Sequence, residues 1–250
     1  MNCELIPHGD MPGDSIQITE NHIKIANLIL PELMQLISEL LAKGQQKVVI
    51  CVCGGSGVGK SETASLLSYL LGEQGLKCYT MSGDNYPHRI PEKNDAERLL
   101  VYEAGGVEAL KNYLGTPQEI NFDQVNQILR DFKAGKPKVV LKRMGRREDE
   151  LWYDEIDFSD TSVLMLEWTH GNSDYIFGVD IPILLNSTPQ ETLEHRKSRN
   201  RDGAVDSPFT TMVLEIEQAK LKAQAHKAKI IVTKAGELIN YNTYCALMNE

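Results

Sequence analysis

Apolar residues follow two alternating patterns along this sequence: short runs of strand length and stripes with helical spacing. Residues 48–53 form a continuous apolar run, which is typical of a strand in the middle of a parallel sheet covered by helices. Residues 61–71 then carry leucines on one face of a helix. The pattern predicts further strands over residues 77–81, 138–144, 151–158, 163–166, 181–185 and 229–233, and further helices over 123–133, from 188 and over 209–219. This alternation predicts a single α/β domain with a mostly parallel sheet.

The first 45 residues lack this alternation. Two prolines and two glycines interrupt the first twenty residues, which predicts an irregular or mobile lead-in. A helical stripe then begins at Pro31, which suits a first helical position, and ends before Gly44. We therefore predict a lead-in and helix over residues 1–45, followed by a core domain over residues 46–250.

Composition and charge narrow the class of protein. The 26 basic and 35 acidic residues give a net charge of −9, which opposes a dedicated nucleic-acid binder. No uninterrupted apolar stretch approaches the ~18 residues of a membrane span, and the N-terminus lacks the features of an export signal. The five cysteines are scattered, and Cys51 and Cys53 fit small buried side chains better than a metal pair. We expect a cytoplasmic protein with neither nucleic acid nor membrane as a partner.

Residues 54–61 match the phosphate-binding pattern G-x-x-x-x-G-K-[ST] and lie between a predicted strand and a predicted helix. The matching residues are Gly54, Gly55, Ser56, Gly57, Val58, Gly59, Lys60 and Ser61. Glycines let backbone N–H groups point inward around a phosphate, and the following helix presents its N-terminal amides to it. Lys60 would reach the β- and γ-phosphates, and the Ser61 hydroxyl would ligate Mg²⁺. The motif predicts a nucleoside triphosphate site.

Two carboxylates follow predicted strands at places where ligands bind in open α/β sheets. Glu167 ends the run over residues 163–166 and could hold Mg²⁺ through water, or it could be an ordinary solvated residue. Asp84 follows the second strand, across the crevice from the phosphate loop, and could accept a proton from an attacking hydroxyl. Because Gly-Asp-Asn is also a common turn, the residues alone leave both interpretations of Asp84 open.

A basic segment over residues 195–202 follows the capping box at Thr188. Four cations lie within six positions of it, including Arg196, Arg199 and Arg201. They could close over the triphosphate as a lid, around residues 195–207, and spread the charge of the transferred group. A solvated basic helix end is the equal alternative. Signatures of Ras-type GTPases and of ABC transporters are missing from the sequence, which favours a kinase.

These features in this order resemble the uridine kinase/phosphoribulokinase/pantothenate kinase family. The resemblance rests on residues 54–61, 83–86, 121–123 with the helix ending at 133–137, 163–167 and 196–202. It implies a P-loop NTPase fold of the nucleoside-kinase type, with the parallel sheet sandwiched by helices. It also implies ATP and Mg²⁺, with transfer of the γ-phosphoryl group to a hydroxyl of a nucleoside, sugar, sugar phosphate or small acid. The implied roles are Asp84 as base, Glu167 near the metal, Lys60 on the phosphates, and a lid contributed by Arg196, Arg199 and Arg201.

Two departures from the family pattern bear on the acceptor. The family usually places glycine after the strand-end glutamate, whereas residues 168–170 intervene here before Gly171. Uridine kinases carry a nucleoside-contacting His-Ser-Arg-like stretch where this chain has the basic residues 142–147, which argues against uridine. That basic segment could bind an acidic acceptor, or it could be a solvated hairpin.

Acceptor candidates and competing functions stay open at this point. Tyr86, Arg89 and Arg143 are candidates for acceptor contact, although aromatic residues in strands more often serve packing. Adenylylsulfate kinases share the Gly-Asp-Asn turn, and a nucleotide-binding regulatory protein without turnover is the alternative from another class. A homodimer is also left open.

Overall fold

The computed structural model describes residues 6–199 and 207–248, and within that part helices and strands alternate. The helices are α1 (Glu20–Ala42), α2 (Lys60–Glu73), α3 (Pro91–Tyr113), α4 (Phe122–Lys133), α5 (Leu193–Arg199), α6 (Pro208–Gln224) and α7 (Tyr241–Leu247). The strands are β1 (Val48–Gly54), β2 (Cys78–Ser82), β3 (Lys138–Met144), β4 (Leu151–Asp157), β5 (Val163–Glu167), β6 (Ile181–Leu185), β7 (Ile230–Val232) and β8 (Leu238–Ile239).

Six strands form one sheet in the order β2-β5-β1-β6-β7-β8, and only β8 runs antiparallel to its neighbour. From β1 the chain passes the position of β5 to form β2 at one side of the sheet. After β5 it continues on the other side of β1, with β6. Glu167 on β5 lies in register with Ser82 on β2 and with Val52 on β1. The carboxyl ends of these three strands therefore meet at one edge of the sheet, where such folds bind ligands.

Helices cover both faces of β1, as its apolar sequence predicts. Val49, Cys51 and Cys53 pack into a core with α4 and the β3–β4 hairpin. The intervening side chains of β1 pack into a second core with α1 and α2. Burial of Cys51 and Cys53 agrees with their interpretation as small core side chains. The predicted fold class, a mostly parallel sheet between helices, is confirmed.

The N-terminal helix begins eleven residues earlier than predicted. Thr19 caps α1 at its start, and Pro31, expected at the first position, lies inside the helix. The apolar stripe already begins upstream of Pro31, and burial of residues such as Ile25 and Ile29 offsets the loss of one backbone donor. By length and composition α1 is also a candidate membrane span. Its buried face packs in the core with α2, and that packing accounts for its apolar character.

The lead-in is irregular, as predicted, but its residues from position 6 onwards pack against the sheet rather than extending away from it. Ile6 is buried in the core, and the Asp10 carboxylate accepts hydrogen bonds from β2 and from its following turn. Because Pro and Gly rule out regular structure without ruling out packing, the pattern identified the irregular backbone but not its contacts.

The sequence did not predict three of the elements, and two of the predicted features differ in the structure. Helix α3, strand β8 and helix α7 were not predicted, and α3 has only three buried side chains, so it lacks an apolar stripe. The helix expected from Thr188 begins at Leu193, although Thr188 and Glu191 make the contacts of a capping box. The predicted strands β3 and β4 pair as a separate antiparallel hairpin outside the main sheet.

Candidate active site

The phosphate loop leaves β1 at Gly54 and returns into α2 at Lys60. Gly57 and Gly59 have φ angles of +76° and +99°, a region that glycine adopts without strain. A Cβ at Gly57 would lie 2.7 Å from Cγ of Arg196, and one at Gly59 would lie 2.8 Å from Nε2 of His22. Helices α1 and α5 therefore pack directly against a loop that only glycine permits. Such a glycine-lined cradle fits a polyphosphate.

The two functional side chains that follow the loop point to the same edge of the sheet. Lys60 Nζ donates to the Gly55 carbonyl at 3.1 Å, within the cradle itself. Ser61 Oγ donates to Oε2 of Glu167 at 3.2 Å. The Ser82 hydroxyl donates to the other oxygen of Glu167. A hydroxyl next to a carboxylate is a donor set suited to Mg²⁺, which prefers oxygen ligands.

Glu167 is buried, with 3% of its surface exposed, so the alternative of a solvated strand-end residue is wrong. Burial and, to a smaller extent, the nearby charge of Asp84 raise the pKa of Glu167 to about 8, while Lys60 acts in the opposite direction. A bound divalent cation would favour the ionised carboxylate and lower this pKa.

Asp84 lies on the turn Gly83–Asn85 that follows β2, and its side chain is exposed. It lines a cavity of about 720 Å³, here called the main cavity, together with Lys60, Ser61 and Glu167. Arg196 also lines this cavity. The fold thus brings together predicted residues that are separated by more than a hundred positions in the sequence. The same cavity is lined by Asp14 and Arg98, which sequence reasoning did not assign to the site, and by Arg146 and Arg147 from the basic segment over residues 142–147.

A second cavity of about 580 Å³, here called the side cavity, meets the main cavity at Asp84. Its polar lining includes Arg98, Glu119, Thr169, His170 and Glu217. Its apolar lining includes Leu99, Phe209 and Val213. Residues 168–170, which depart from the family pattern, therefore form part of its wall.

Glu119 is the most buried charged group of the side cavity. Its carboxylate accepts hydrogen bonds from Arg98 Nε at 2.6 Å, the Gly115 N–H at 2.6 Å and Asn94 Nδ2 at 2.9 Å. Burial alone would raise the pKa of Glu119, but Arg98 and the Gly115 N–H outweigh it and lower the pKa.

Burial lowers the pKa of His170 to about 4, so the ring is neutral near pH 7. Pro91 at the start of α3 was the one sequence signal that could have located Arg98 and Asn94 on a helix.

Helix α5 is fastened to the phosphate loop. The His195 ring forms a hydrogen bond with the Gly57 carbonyl at 2.7 Å. The Arg196 side chain is 6% exposed, and its Nη2 donates to the Pro189 carbonyl at 2.7 Å. The side chain of Arg199 and all of Arg201 lie outside the described residues, as does most of the predicted lid. Within the described residues, Arg196 is thus the cation of the predicted lid that lines the main cavity.

The basic segment over residues 142–147 divides into two parts. Lys142 and Arg143 are each 5% exposed, so the interpretation of a fully solvated hairpin is wrong for them. Lys142 Nζ donates to the Pro87 carbonyl at 2.8 Å, and Arg143 pairs with Asp10 at 2.8 Å. Arg146 and Arg147 instead line the main cavity. Consecutive side chains of a strand point to opposite faces, yet Lys142 and Arg143 are both buried. The alternation rule therefore could not predict which cations of this segment are buried.

The three acceptor candidates from the sequence do not line either cavity. Tyr86 is fully buried in the core, where burial raises its pKa. Arg89 donates to the Tyr113 hydroxyl and pairs with Glu97. Arg143 is held by Asp10 and Asp154. None of the three therefore contributes to the cavity surface around Asp84.

The family model for the phosphoribulokinase/uridine kinase family matches residues 49–185, which is more than half of the chain. The chain belongs to this family. That match confirms the family predicted from the motifs, which is a family of kinases.

The curated relative that it matches is a bifunctional α-galactosidase/sucrose kinase from Mediterraneibacter gnavus, 48% identical over 194 residues. The match covers 78% of this chain but 21% of the relative, so the chain spans about a fifth of that protein's length.

Solved structures of low identity share the fold. Phosphoribulokinase from Rhodobacter spheroides is 18% identical with a TM-score of 0.54, over 76% of this chain and 70% of that one. D-glycerate 3-kinase from Cryptococcus neoformans is 12% identical with a TM-score of 0.57, over 89% and 99%. A putative fructose transport system kinase from a Silicibacter species is 18% identical with a TM-score of 0.56, over 78% and 93%.

Proposed function

We propose that this kinase transfers the γ-phosphoryl group of ATP, with Mg²⁺, to a hydroxyl group of a sugar. One observation carries the proposal: Lys60, Ser61, Glu167 and Asp84 line one cavity at the carboxyl ends of adjacent strands. A triphosphate-binding loop and a carboxylate base are the two parts that phosphoryl transfer to an alcohol requires.

The donor side consists of residues 54–61 with Glu167 and Arg196. The loop amides and the N-terminus of α2 bind the phosphates, and Lys60 pairs with their terminal charge. Ser61 and Glu167 hold Mg²⁺, which when bound offsets negative charge on the phosphate oxygens. Arg196 adds a cation at the loop, and we assign Arg199 and Arg201 to the lid on the strength of the family resemblance.

Asp84 acts as the base in this proposal. Its exposed carboxylate faces the main cavity, where it would accept the proton of the acceptor hydroxyl as the oxygen attacks the γ-phosphorus. Glu167 beside it is fully buried and bonded by two hydroxyls, so it is less able to receive a substrate. In this proposal Glu167 is the metal ligand and Asp84 is the proton acceptor.

A sugar is the acceptor class that best fits the surroundings of Asp84. The side cavity offers carboxylate, guanidinium, hydroxyl and imidazole groups next to apolar walls. Such a mixture matches a molecule with many hydroxyls on an apolar ring. The relative that carries a sucrose kinase supports the same class. Membership of this kinase family supports a location in the cytoplasm. The acidic net charge argues against a nucleic-acid partner. The homodimer stays a prediction.

The test is a measurement of ATP consumption with Mg²⁺ against sucrose, other sugars, nucleosides, sugar phosphates, small acids and adenylylsulfate. We expect turnover with a sugar, and loss of at least a thousandfold in Asp84→Asn with ATP affinity retained. Asp160→Asn, an exposed residue far from the cavity, is the control and should match the wild type. Turnover only with adenylylsulfate, or none with any acceptor, would contradict the proposal, and the latter would favour a nucleotide-binding regulator.

A further inference from the structure

A short segment ahead of α1 contacts the turn that carries Asp84. The segment precedes residues 49–185, which the family model matches, and no sequence motif drew attention to it. Asp10 is its central residue, with a side chain only 8% exposed. Met11 and Asp14, which follow it, line the main cavity. The lead-in therefore forms part of the wall of the proposed active site.

One carboxylate oxygen of Asp10 holds both ends of the Asp84 turn. Oδ1 accepts the backbone N–H of Ser82 at 2.7 Å and Nδ2 of Asn85 at 3.1 Å. These two residues flank Gly83 and Asp84 in the sequence. Fixing the backbone N–H of Ser82 and the side chain of Asn85 restricts the directions in which the Asp84 side chain between them can point.

The other oxygen of Asp10 ties this turn to the β3–β4 hairpin. Oδ2 accepts Nη1 of Arg143 at 2.8 Å and the Tyr79 hydroxyl at 3.1 Å. Nη2 of Arg143 in turn donates to the Tyr79 hydroxyl at 2.7 Å. All four partners of Asp10 are donors, so they match an ionised carboxylate. An amide in its place would direct an NH₂ group at other donors.

Further contacts connect the same turn to the rest of the site. Oδ1 of Asn85 accepts the Met144 N–H at 3.0 Å, which joins the turn to the end of β3. The Ser82 hydroxyl donates to Glu167, so Ser82 links Asp10 to the proposed metal ligand. Asp10 thus lies at the point where the lead-in, β2 and the hairpin meet.

We propose that Asp10 is a positioning residue for phosphoryl transfer: its carboxylate holds the Ser82 backbone N–H and the Asn85 side chain on the two sides of Asp84, and so directs the Asp84 side chain into the main cavity. The proposal rests on the proposed function, in which Asp84 is the base. A base displaced by about 1 Å can lose about a hundredfold in rate, because transfer needs the acceptor oxygen and the base in line.

The test compares Asp10→Asn with the wild type, using Mg²⁺, ATP and the sugar that the acceptor panel identifies. We expect kcat to fall at least tenfold. We expect KM for ATP and the dissociation constant of ATP to stay within twofold, because the Asp10 contacts do not include the phosphate loop. The assays are run below the unfolding transition of each variant.

Asp180→Asn is the matched control for lost stability. Asp180 accepts the Val49 N–H at 2.8 Å and Nζ of Lys133 at 2.6 Å, so it too joins a strand amide to a cation. It lies at the start of β6, at the opposite edge of the sheet from Asp84. We expect Asp180→Asn to lose stability but to keep kcat within twofold.

Amide hydrogen exchange of a peptide covering residues 79–86 provides a measurement independent of turnover. We expect faster exchange in Asp10→Asn and wild-type exchange in Asp180→Asn. Wild-type kcat in Asp10→Asn, equal losses of kcat in both variants, or unchanged exchange in Asp10→Asn would each overturn the role of Asp10. If the wild type phosphorylates no acceptor of the panel, the proposed function itself fails.

Discussion

The donor side of the cavity, residues 54–61 with Glu167, and the acceptor side, Asp84 with Arg98, Glu119 and His170, are assembled in different ways. The donor side consists almost entirely of one contiguous loop and the start of one helix. The acceptor side gathers side chains from the turn after β2, from α3 and from the segment after β5. It also depends on Asp10 in the lead-in.

This difference has an electrostatic counterpart. In the proposed function, the donor side binds phosphate with a lysine and with backbone amides, which the loop itself already directs inward. The acceptor side holds several ionisable groups in a buried network, in which the Arg98 guanidinium donates a hydrogen bond to the Glu119 carboxylate and pairs with its charge. Changes on the donor side should therefore abolish ATP use, whereas changes on the acceptor side should affect stability and pH response as well.

The largest effect is expected for Lys60→Met. Removal of the ammonium leaves the terminal phosphate charge without its cation, and we expect kcat/KM for ATP to fall at least a thousandfold, about 4 kcal/mol. The folded protein should keep its stability, because within residues 6–199 and 207–248 the Lys60 ammonium donates a hydrogen bond to the Gly55 carbonyl alone. Steady-state kinetics and calorimetric titration with ATP measure the two quantities. Lys77→Met, an exposed surface change, is the control, and comparable activity in the two variants would contradict the role of Lys60.

Glu167→Gln should lose about a hundredfold to a thousandfold in kcat, with weaker dependence on Mg²⁺, because the amide is a poorer metal ligand. Without ligands the variant should gain stability over the wild type as pH rises. The raised pKa of Glu167, about 8, means that the folded state holds a proton which the unfolded state releases above about pH 4.5. The wild type therefore loses stability as the pH rises from about 4.5 to about 8, whereas the glutamine variant has no such proton to lose.

Urea unfolding with and without Mg²⁺ and ATP measures these changes. Glu155→Gln, on the exposed hairpin, should follow the wild type in both assays. If Glu167→Gln responds to Mg²⁺ as the wild type does, the metal is held elsewhere and the division between donor and acceptor sides must be redrawn.

The contrast between the two sides also explains what the sequence could predict. Lys60, Ser61 and Glu167 follow an apolar run or a fixed motif, so local pattern was enough to identify them. The strand order that places Glu167 beside Ser61 was not predicted from the sequence. Arg98 and Glu119 belong to a helix with few buried residues and to a loop, and neither leaves a periodic signal. Asp10 acquires its role only from contacts with residues about 70 and 130 positions away, which no local pattern encodes.

Arg98→Met should destabilise the fold by about 3 kcal/mol, because it leaves the Glu119 carboxylate buried without its cation. The double variant Arg98→Met/Glu119→Gln should recover much of this loss, since it removes the unpaired charge as well. Urea unfolding curves give both values. Arg130→Met, which removes an exposed arginine on α4, is the control. Equal destabilisation in the single and double variants would show that packing, and not charge pairing, organises the acceptor side.

The smallest effect is expected from the titration of His170. Its pKa is about 4 in the folded protein and about 6.5 when unfolded, so the folded state excludes a proton that the unfolded state accepts. The resulting stability is fully present above about pH 6.5 and is lost as pH falls towards 4. We expect the wild type to lose about 2 kcal/mol more than His170→Gln between pH 7 and pH 5. His226→Gln, which removes an exposed histidine, should follow the wild type over that range. If the free energy of unfolding changes with pH in the same way in the wild type and in His170→Gln, the imidazole is accessible to water. Burial on the acceptor side would then not oppose its protonation.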